Sequence, residues 1–301
     1  MKLRALSTLL VCLFLASAGF SQINSPNFRY VAINFPGATS TIPRGINNFG
    51  EIVGSYQISG NPACGLGVNC VIHGFKLING KFTRVDVPGA LQTEIHGVND
   101  GGDVAGTYFT SDGRLHGFLL RHTGQITRLD APGTQFTVAN GVNNSLVVVG
   151  NGNTGFIWKN GTFTKFDITV PNNGESQDLL GISNNGFLAG TIFRQDFQNG
   201  FQKTGADLDV FARINGVDTH ITGVNARDDL LGAAPSIDQA FVAFHQESNE
   251  TTENNEPLLH IVPIHFPGSS GTRAWGINYN QSIVGSYTDS SNNTHGFLAV
   301  H

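Results

Sequence analysis

The 301-residue sequence is poor in charge, and its few basic side chains are scattered. Only 13% of the residues are charged, the formal net charge is −5, and Lys and Arg form no cluster. Proteins that bind nucleic acid neutralise phosphates with concentrated basic side chains. We therefore expect no nucleic-acid partner.

Long apolar runs are also missing from most of the chain. The run Leu9–Leu15 is shorter than the roughly 18–20 residues that a membrane helix needs, and no later run approaches that length. It follows Lys2 and Arg4 and precedes an Ala-Ser-Ala sequence, a pattern typical of a secretory signal peptide. We interpret residues 1–18 as this peptide and residues 19–301 as a single domain. The mature domain is predicted to be secreted or extracytoplasmic, with no membrane partner.

Cysteine is scarce as well, with three residues in the chain. Cys12 lies inside the apolar run, so the mature domain keeps only Cys64 and Cys70, which enclose a short glycine-rich loop. In an oxidising compartment this arrangement favours a disulfide. A zinc site would need further ligands, and only His73 is close in sequence. We predict a disulfide between Cys64 and Cys70, and no metal or cofactor.

Glycine, by contrast, is abundant, and it marks six copies of one pattern. Each copy begins with Gly-Ile/Val followed by Asn or Ser, and a second glycine lies nine residues later. The first glycines are Gly45, Gly97, Gly141, Gly181, Gly223 and Gly276, and the second are Gly54, Gly106, Gly150, Gly190, Gly232 and Gly285. The copies begin 40 to 53 residues apart. A fixed inner spacing within a variable period indicates rigid units joined by tolerant loops.

Each copy contains the landmarks of four short strands, which we name a to d. Strand a ends at the first glycine, strand b contains the second, strand c begins at Gly-Phe or its Ala-Phe variant, and strand d ends near Pro-Gly in the best-preserved copies. Asn-Gly turns join strands c and d in two copies. Four-stranded units of about 40–45 residues are typical of propeller blades. We predict an all-β, six-bladed β-propeller, with an open β-solenoid or a different closure as the alternatives.

The chain ends predict how the ring closes. A strand of d type, Phe28–Gly37, precedes the first a strand, and the last copy stops at its c strand, HGFLAVH. The N-terminal strand would complete the last blade and leave fewer unpaired edges. We also expect a monomer.

The segments HGFLL, HGFLA and GFIWKNG, together with the GINxxGxIVG-type hairpins, resemble the predicted extracellular repeat proteins of the HAF type. The similarity covers essentially the whole mature chain. This sequence carries Gly where the His-Ala-Phe motif has Ala, and three copies keep the His. The resemblance implies secretion and a propeller-like repeat fold, and it supplies no catalytic residues.

The glycines, acidic residues and asparagines of the a–b hairpins have structural interpretations. The glycine-rich segment Gly97–Tyr108 leads into a strand, whereas a phosphate-binding loop leads into a helix. Asp100 and Asp103 are too sparse for a calcium loop. An Asn follows Gly-Ile/Val in five copies, and we predict that it holds the a–b turn; a ligand-binding ring is the alternative. These residues are Asn47, Asn99, Asn143, Asn225 and Asn278.

Three histidines, His73, His116 and His295, precede Gly-Phe in blades that would be neighbours. Three imidazoles can bind zinc. However, strand c lies far out along a blade, so we favour local hydrogen bonds over a shared ion.

The positions just before each first glycine are the most variable in the pattern, whereas the next residue is always Ile or Val. One residue before, the copies carry Arg44, His96, Asn140, Leu180, Thr222 and Trp275; three before, they carry Ile42, Glu94, Val138, Asp178, His220 and Arg273. These positions vary among polar and aromatic residues, whereas the neighbouring core position is uniform. This pattern fits a ligand-binding surface carried on a constant scaffold; the alternative is ordinary variation at solvent-exposed positions. We select as candidate ligand-binding residues Arg44, Glu94, His96, Asn140, Asp178, His220, Arg273 and Trp275.

The chain contains no compact catalytic motif, so the sequence favours binding over catalysis. We predict a binding or scaffold module for a carbohydrate, a cell-wall component or a surface protein, with Trp275 as a stacking surface. The alternative is an extracytoplasmic hydrolase or lyase with acid–base groups among Glu94, His96, Asp178 and His220. A third interpretation is a purely structural surface protein.

Overall fold

A computed structural model describes residues 28–58, 71–168, 176–193, 198–205, 207–211, 218–234, 239–245 and 259–301. The predicted signal peptide and the predicted Cys64–Cys70 disulfide lie outside these residues. Within this part of the chain, no helix has the length and apolarity to cross a membrane.

The described residues form twenty-four short strands. Blade 1 contains β2 (Ser40–Ile46), β3 (Ile52–Gln57), β4 (Ile72–Ile78) and β5 (Lys81–Val85). Blade 2 contains β6 (Gln92–Val98), β7 (Val104–Phe109), β8 (Leu115–Leu120) and β9 (Ile126–Leu129). Blade 3 contains β10 (Val138–Val142), β11 (Val148–Asn151), β12 (Gly155–Lys159) and β13 (Thr162–Lys165).

The second half of the chain repeats this order. Blade 4 contains β14 (Ser176–Ile182), β15 (Leu188–Phe193), β16 (Gln198–Thr204) and β17 (Asp207–Phe211). Blade 5 contains β18 (His220–Val224), β19 (Leu230–Ala234), β20 (Gln239–His245) and β21 (Leu259–Ile264). Blade 6 contains β22 (Gly271–Ile277), β23 (Ile283–Thr288), β24 (Thr294–Val300) and the N-terminal β1 (Arg29–Ile33).

Each blade is a four-stranded antiparallel sheet, and the six blades close into a ring. The a strands β2, β6, β10, β14, β18 and β22 each contact the next, and β22 returns to β2. In blade 6 the strand order is β22-β23-β24-β1, because β1 pairs antiparallel with β24. The structure therefore confirms the six-bladed propeller and its closure by the N-terminal strand.

The hydrophobic core consists of six clusters, each between neighbouring blades. The residue before each second glycine packs in the same cluster as the Gly-Phe or Ala-Phe phenylalanine of the following blade, as Val53 does with Phe118 and Val149 with Phe201. The phenylalanines are all buried: Phe75, Phe118, Phe156, Phe201, Phe241 and Phe297. Burying such aromatic side chains supplies much of the stability that each blade interface provides.

The Pro-Gly sequences form the turns that lead from strand d to strand a. In the first, the Phe35 carbonyl accepts a hydrogen bond from the Ala38 N–H at 3.0 Å, and Gly37 has a φ of 79°. Proline second and glycine third in such a four-residue turn is the type II pattern. Gly89, Gly133 and Gly268 have similar φ values. These turns set the point at which each a strand begins.

Candidate functional site

The a strands converge as they approach their a–b turns. A Cβ added to Gly45 would lie 3.1 Å from the Cα of Gly97, and one added to Gly97 would lie 3.0 Å from the Cα of Gly141. One added to Gly276 would lie 3.1 Å from the Cα of Gly45. The first glycines thus allow the close backbone approach that the repeat pattern predicts. We call the stretch of the axis that is lined by the residues just before these glycines the channel mouth.

Every a strand contains a β-bulge at the residue before its first glycine. The extra residue has no partner in strand b, and a bulge re-aims its side chain. The six bulged residues are the variable positions Arg44, His96, Asn140, Leu180, Thr222 and Trp275. Sequence comparison among the copies identified these positions but not the bulge.

Three bulged side chains make the same contact with the next blade. Each hydrogen-bonds the backbone carbonyl that lies two residues before the next first glycine. The contacts are His96 Nδ1 to Ala139 O at 3.1 Å, Asn140 Nδ2 to Leu179 O at 2.9 Å, and Thr222 Oγ1 to Ala274 O at 3.0 Å. These polar side chains therefore fasten adjacent blades, whatever else they contact.

The bulged residues Arg44 and Trp275 form a cluster with Glu94 and His96 that spans blades 6, 1 and 2. The Arg44 guanidinium lies 4.8 Å from the ring centroid of Trp275 and 3.7 Å from Glu94 Oε2. His96 Nε2 lies 3.4 Å from the same Glu94 oxygen. Trp275 Nε1 donates to Ser286 Oγ within its own blade. The structure thus brings together four of the eight candidate residues, and we call this set the mouth cluster.

Burial and neighbouring charge set the protonation of the mouth cluster. Burial by itself raises the pKa of Glu94, but the His96 hydrogen bond and the Arg44 charge outweigh it, so the Glu94 pKa is lowered. Burial, assisted by Arg44, lowers the pKa of His96 despite the opposing effect of Glu94. At neutral pH an ionised Glu94 therefore faces Arg44. Because a neutral imidazole has one N–H group, His96 donates to both Glu94 and the Ala139 carbonyl only in its protonated form.

The remaining acid–base candidates lie across the ring from this cluster. Asp178 is in blade 4 and His220 is in blade 5, opposite blades 1 and 2 in the six-blade order. Burial raises the pKa of Asp178 and lowers the pKa of His220, whose Nε2 contacts Gln198 Oε1. Arg273 is exposed in blade 6. The candidates therefore divide between two sides of the mouth.

A second set of repeated polar residues was missed in the sequence. The residue four positions before the first glycine is Thr in five blades and Gln in one. In five blades its side-chain oxygen accepts a hydrogen bond from a backbone N–H just after the preceding d strand. In blade 5 the donor is a backbone N–H of the preceding c strand. These residues are Thr41, Thr93, Thr137, Gln177, Thr219 and Thr272, all buried. Their recurrence at one position was a signal that could have identified them.

The repeated asparagines hold the a–b turns, as the sequence predicted. Asn143 Oδ1 accepts the N–H groups of Ser145 and Val147 at 3.0 Å, and its amide donates to the Ser183 carbonyl of the next blade. The inter-blade donation recurs from Asn47, Asn99, Asn225 and Asn278. The asparagines therefore form a belt of hydrogen bonds around the axis.

Asp100 lies in the a–b turn of blade 2 and joins the turns of several blades. Its carboxylate accepts hydrogen bonds of 2.8–3.1 Å from the side-chain amides of Asn48, Asn144 and Asn184, which belong to blades 1, 3 and 4. The charge is thus held by amides from three other blades. No grouping of metal-ligand side chains that could hold an ion occurs among the described residues.

Asp103 caps the same hairpin in blade 2. Burial raises its pKa, but hydrogen bonds from the His122 N–H, Asn99, the His122 ring and Arg121 outweigh that effect and lower the pKa to about 2. The folded state therefore favours the ionised carboxylate, and the resulting stability is present above the unfolded pKa of about 3.9.

Replacing Asp103 with Asn is expected to lower the free energy of unfolding at pH 7 by about 1.5–3 kcal/mol, because charged hydrogen bonds are lost. The difference from the wild type should shrink as the pH falls from about 4 to about 2, where the wild-type carboxylate becomes protonated. Urea unfolding across this pH range measures both effects. The control Asp167→Asn, at a largely exposed carboxylate, should change stability by less than about 0.5 kcal/mol. A pH-independent difference would contradict the assignment.

The three c-strand histidines make local contacts, as predicted. His73 Nδ1 lies 3.0 Å from Asp86, His116 Nδ1 lies 2.7 Å from Asp130, and His295 Nδ1 lies 3.0 Å from Asn34. Each ring also packs against a tyrosine of strand b. Each of these partners belongs to the same blade as its histidine.

Comparisons with known proteins support the fold and leave the activity open. No protein-family model matches the sequence, and no curated protein matches it. A catalytically inactive virginiamycin B lyase from Staphylococcus aureus is similar in structure, with a TM-score of 0.51, 13% identity, and coverage of 91% of this chain and 100% of that chain.

Two further solved structures show weaker likeness. A gluconolactonase from Xanthomonas campestris has a TM-score of 0.48 and 11% identity, covering 92% of this chain and 90% of that chain. The Aleuria aurantia lectin has a TM-score of 0.44 and 10% identity, covering 86% of this chain and 91% of that chain. At such low identity, these likenesses concern the propeller fold alone. Function therefore has to be argued from this chain's own residues.

Proposed function

We propose that the protein is an exported propeller of the HAF-repeat type that binds its ligand at the channel mouth, through Arg44, Glu94 and Trp275. The observation that carries this proposal is the state of Arg44. Its Nε is buried and has no hydrogen-bond partner among the described residues, while the guanidinium lies between a ring and a carboxylate. A buried donor without a partner is costly, so Arg44 is incompletely satisfied within the protein. The Arg44 side chain is 28% exposed, and an oxygen acceptor from a ligand would reach the accessible part of its guanidinium.

The chemistry of the mouth cluster favours an uncharged, oxygen-rich ligand group. Glu94 already opposes the charge of Arg44, so the pair offers both an acceptor and donors without a large net charge. Trp275 adds a half-buried aromatic surface. Carbohydrates, cell-wall components and surface-protein carbonyls all present such oxygens, and these remain the ligand classes of the proposal.

The intrinsic fluorescence of Trp275 provides the experiment. The chain has two tryptophans, so Trp158→Phe leaves Trp275 as the only indole. This variant is titrated with a panel of glycans, cell-wall fragments and surface proteins. We expect a saturable change with at least one of them, and Arg44→Ala should weaken that binding at least 10-fold because the buried donor is removed.

The matched control is Arg128→Ala, which removes an exposed arginine from the outer strand of blade 2. It should leave the dissociation constant unchanged. Equal binding by the Arg44→Ala and Trp158→Phe proteins would overturn the assignment of the mouth cluster.

One observation favours an enzyme as the second candidate. Asp178 and Thr191 are opposite each other in the β14–β15 pair, and the Thr191 hydroxyl is buried without a hydrogen-bond partner among the described residues. Burial also raises the pKa of Asp178, which is the direction that a general acid requires. Hydrolysis or elimination of a panel ligand, lost in Asp178→Asn while binding persists, would support this candidate over simple binding.

A further inference from the structure

A cleft lies among the a–b turns, between the first two blades. It has a volume of about 320 Å³ and is lined by the a–b turn and the β4–β5 turn of blade 1 and by the a–b turn of blade 2. The lining residues used below are Phe49, Glu51, Ile78, Asn79, Asp100 and Gly102. We call this cavity the Phe49 cleft.

The phenylalanine at the edge of this cleft has no packing role in the fold. Phe49 is 81% exposed, and Ile78 is 45% exposed. The turn needs only the backbone of Phe49, whose N–H donates to Asn47 Oδ1 at 3.0 Å. The other blades carry non-aromatic residues here: Gly101, Ser145, Asn185, Arg227 and Asn280. An exposed aromatic that the repeat does not require indicates a contact surface.

The polar groups beside this ring are held in fixed positions. Lys76 Nζ lies 2.8 Å from Glu51 Oε1 and donates to the Gly102 carbonyl at 2.6 Å, which ties blade 1 to blade 2. Asp100 is fixed by amides from three blades. The Asn79 side chain is exposed at the other edge. The cleft therefore offers preorganised oxygen acceptors and an amide next to an apolar surface.

This combination suits a neutral sugar ring better than the other common ligand classes. A pyranose has a C–H face that can cover Phe49 and hydroxyl groups that can donate to carboxylates. Two carboxylates against one lysine make the lining acidic, which disfavours phosphates and acidic sugars. A protein partner would need a larger apolar surface than this polar hollow provides.

We propose that the Phe49 cleft is a second ligand site, separate from the mouth cluster, that takes one neutral pyranose unit of an oligosaccharide. The ring of that unit stacks on Phe49, and its hydroxyls donate to Asp100 Oδ1 and Glu51 Oε2. Asp100 Oδ2 already accepts three amides, and Glu51 Oε1 is buried. An oligosaccharide bound here leaves the mouth cluster accessible.

The test is an NMR titration of the ¹⁵N-labelled mature protein with cellohexaose, mannohexaose, maltohexaose and chitohexaose. We expect saturable shifts in the backbone amides of Phe49, Gly101 and Gly102 with at least one of these probes. Phe49→Ala should weaken that binding at least 10-fold. Because Phe49 is so exposed, its replacement should leave the melting temperature unchanged.

Two control variants separate this site from the rest of the surface. Phe136→Ala removes a 39% exposed phenylalanine from the β9–β10 connection and should leave the shifts and the dissociation constant unchanged. Arg44→Ala should also leave them unchanged, so failure of the mouth-cluster proposal would not affect this result.

Three outcomes would overturn the proposal. They are the absence of shifts with all four probes, shifts confined to the channel mouth, and unchanged affinity in Phe49→Ala. If Phe49→Ala instead altered only the sedimentation of the protein, the cleft would be a protein–protein contact, and the sugar assignment would be wrong.

Discussion

Replacing Gly106 with Ala is expected to destabilise the protein by more than about 4 kcal/mol. A Cβ at Gly106 would overlap the Glu94 carbonyl oxygen of strand a and would also lie 2.8 Å from the Phe118 ring. Both neighbours are held in place, the first by the sheet and the second by complete burial in the core. The backbone cannot move enough to relieve this overlap, so the added methyl group disrupts the pairing of strands a and b. Urea unfolding, or loss of soluble folded protein, measures the effect.

Gly141→Ala is the matched control, because it adds the same methyl group to a strand glycine of the neighbouring blade. Its Cβ would meet side-chain atoms of Ile182 and Val149 at 3.4 Å, which is ordinary packing distance. We expect a loss below about 1.5 kcal/mol. If both variants unfolded at the same urea concentration, the explanation for the second glycine of the repeat would be wrong.

Starting the mature chain at Ala38 removes residues 19–37, which include β1, and is expected to cost about 4 kcal/mol and to cause aggregation. The Ile33 side chain is 5% exposed, and the Tyr30 ring packs against Phe266 and Phe297. Loss of one such side chain already costs 2–5 kcal/mol. The deletion also exposes the edge of β24, a template for pairing with other chains. The melting temperature should fall by roughly 8–16 °C.

A circular permutant provides the control for this deletion. The rings of Phe28 and His301 lie 4.3 Å apart, so residues 28–37 can follow His301 through a two-residue Asn-Gly turn. This protein keeps the β1–β24 pairing and changes only the connection, and we expect its stability to return close to that of the mature chain. A truncated protein that stayed monomeric with an unchanged melting temperature would contradict the closure mechanism.

The repeats made the fold readable from the sequence. The spacing from Gly45 to Gly54 recurs in every copy, because each copy folds into the same a–b hairpin with the same register. The turn role of the asparagines was likewise predictable, since an Asx side chain bonds backbone groups only a few residues away. Even the closure of blade 6 followed from counting strands at the two chain ends.

The sites were less predictable, because their contacts join residues from different blades. Comparison of the copies identified the positions of Arg44 and Trp275 as variable. No sequence spacing indicates that the Arg44 guanidinium faces the Trp275 ring across the boundary between blades 1 and 6. The sequence shows Asp100 only as one of two acids in a glycine-rich turn, whereas the ring places amides from three blades around it. Phe49 was not among the predicted ligand-binding residues, because no local sequence feature distinguishes an exposed phenylalanine from a buried one.

Local and repeated features could thus be read from the chain: the strands, their turns, the buried phenylalanines and the number of blades. The contacts among variable side chains near the axis, and the exposure of others, became evident in the folded ring. Hairpin geometry depends on a few consecutive residues, whereas the mouth cluster and the Phe49 cleft exist only once six blades close around a common axis.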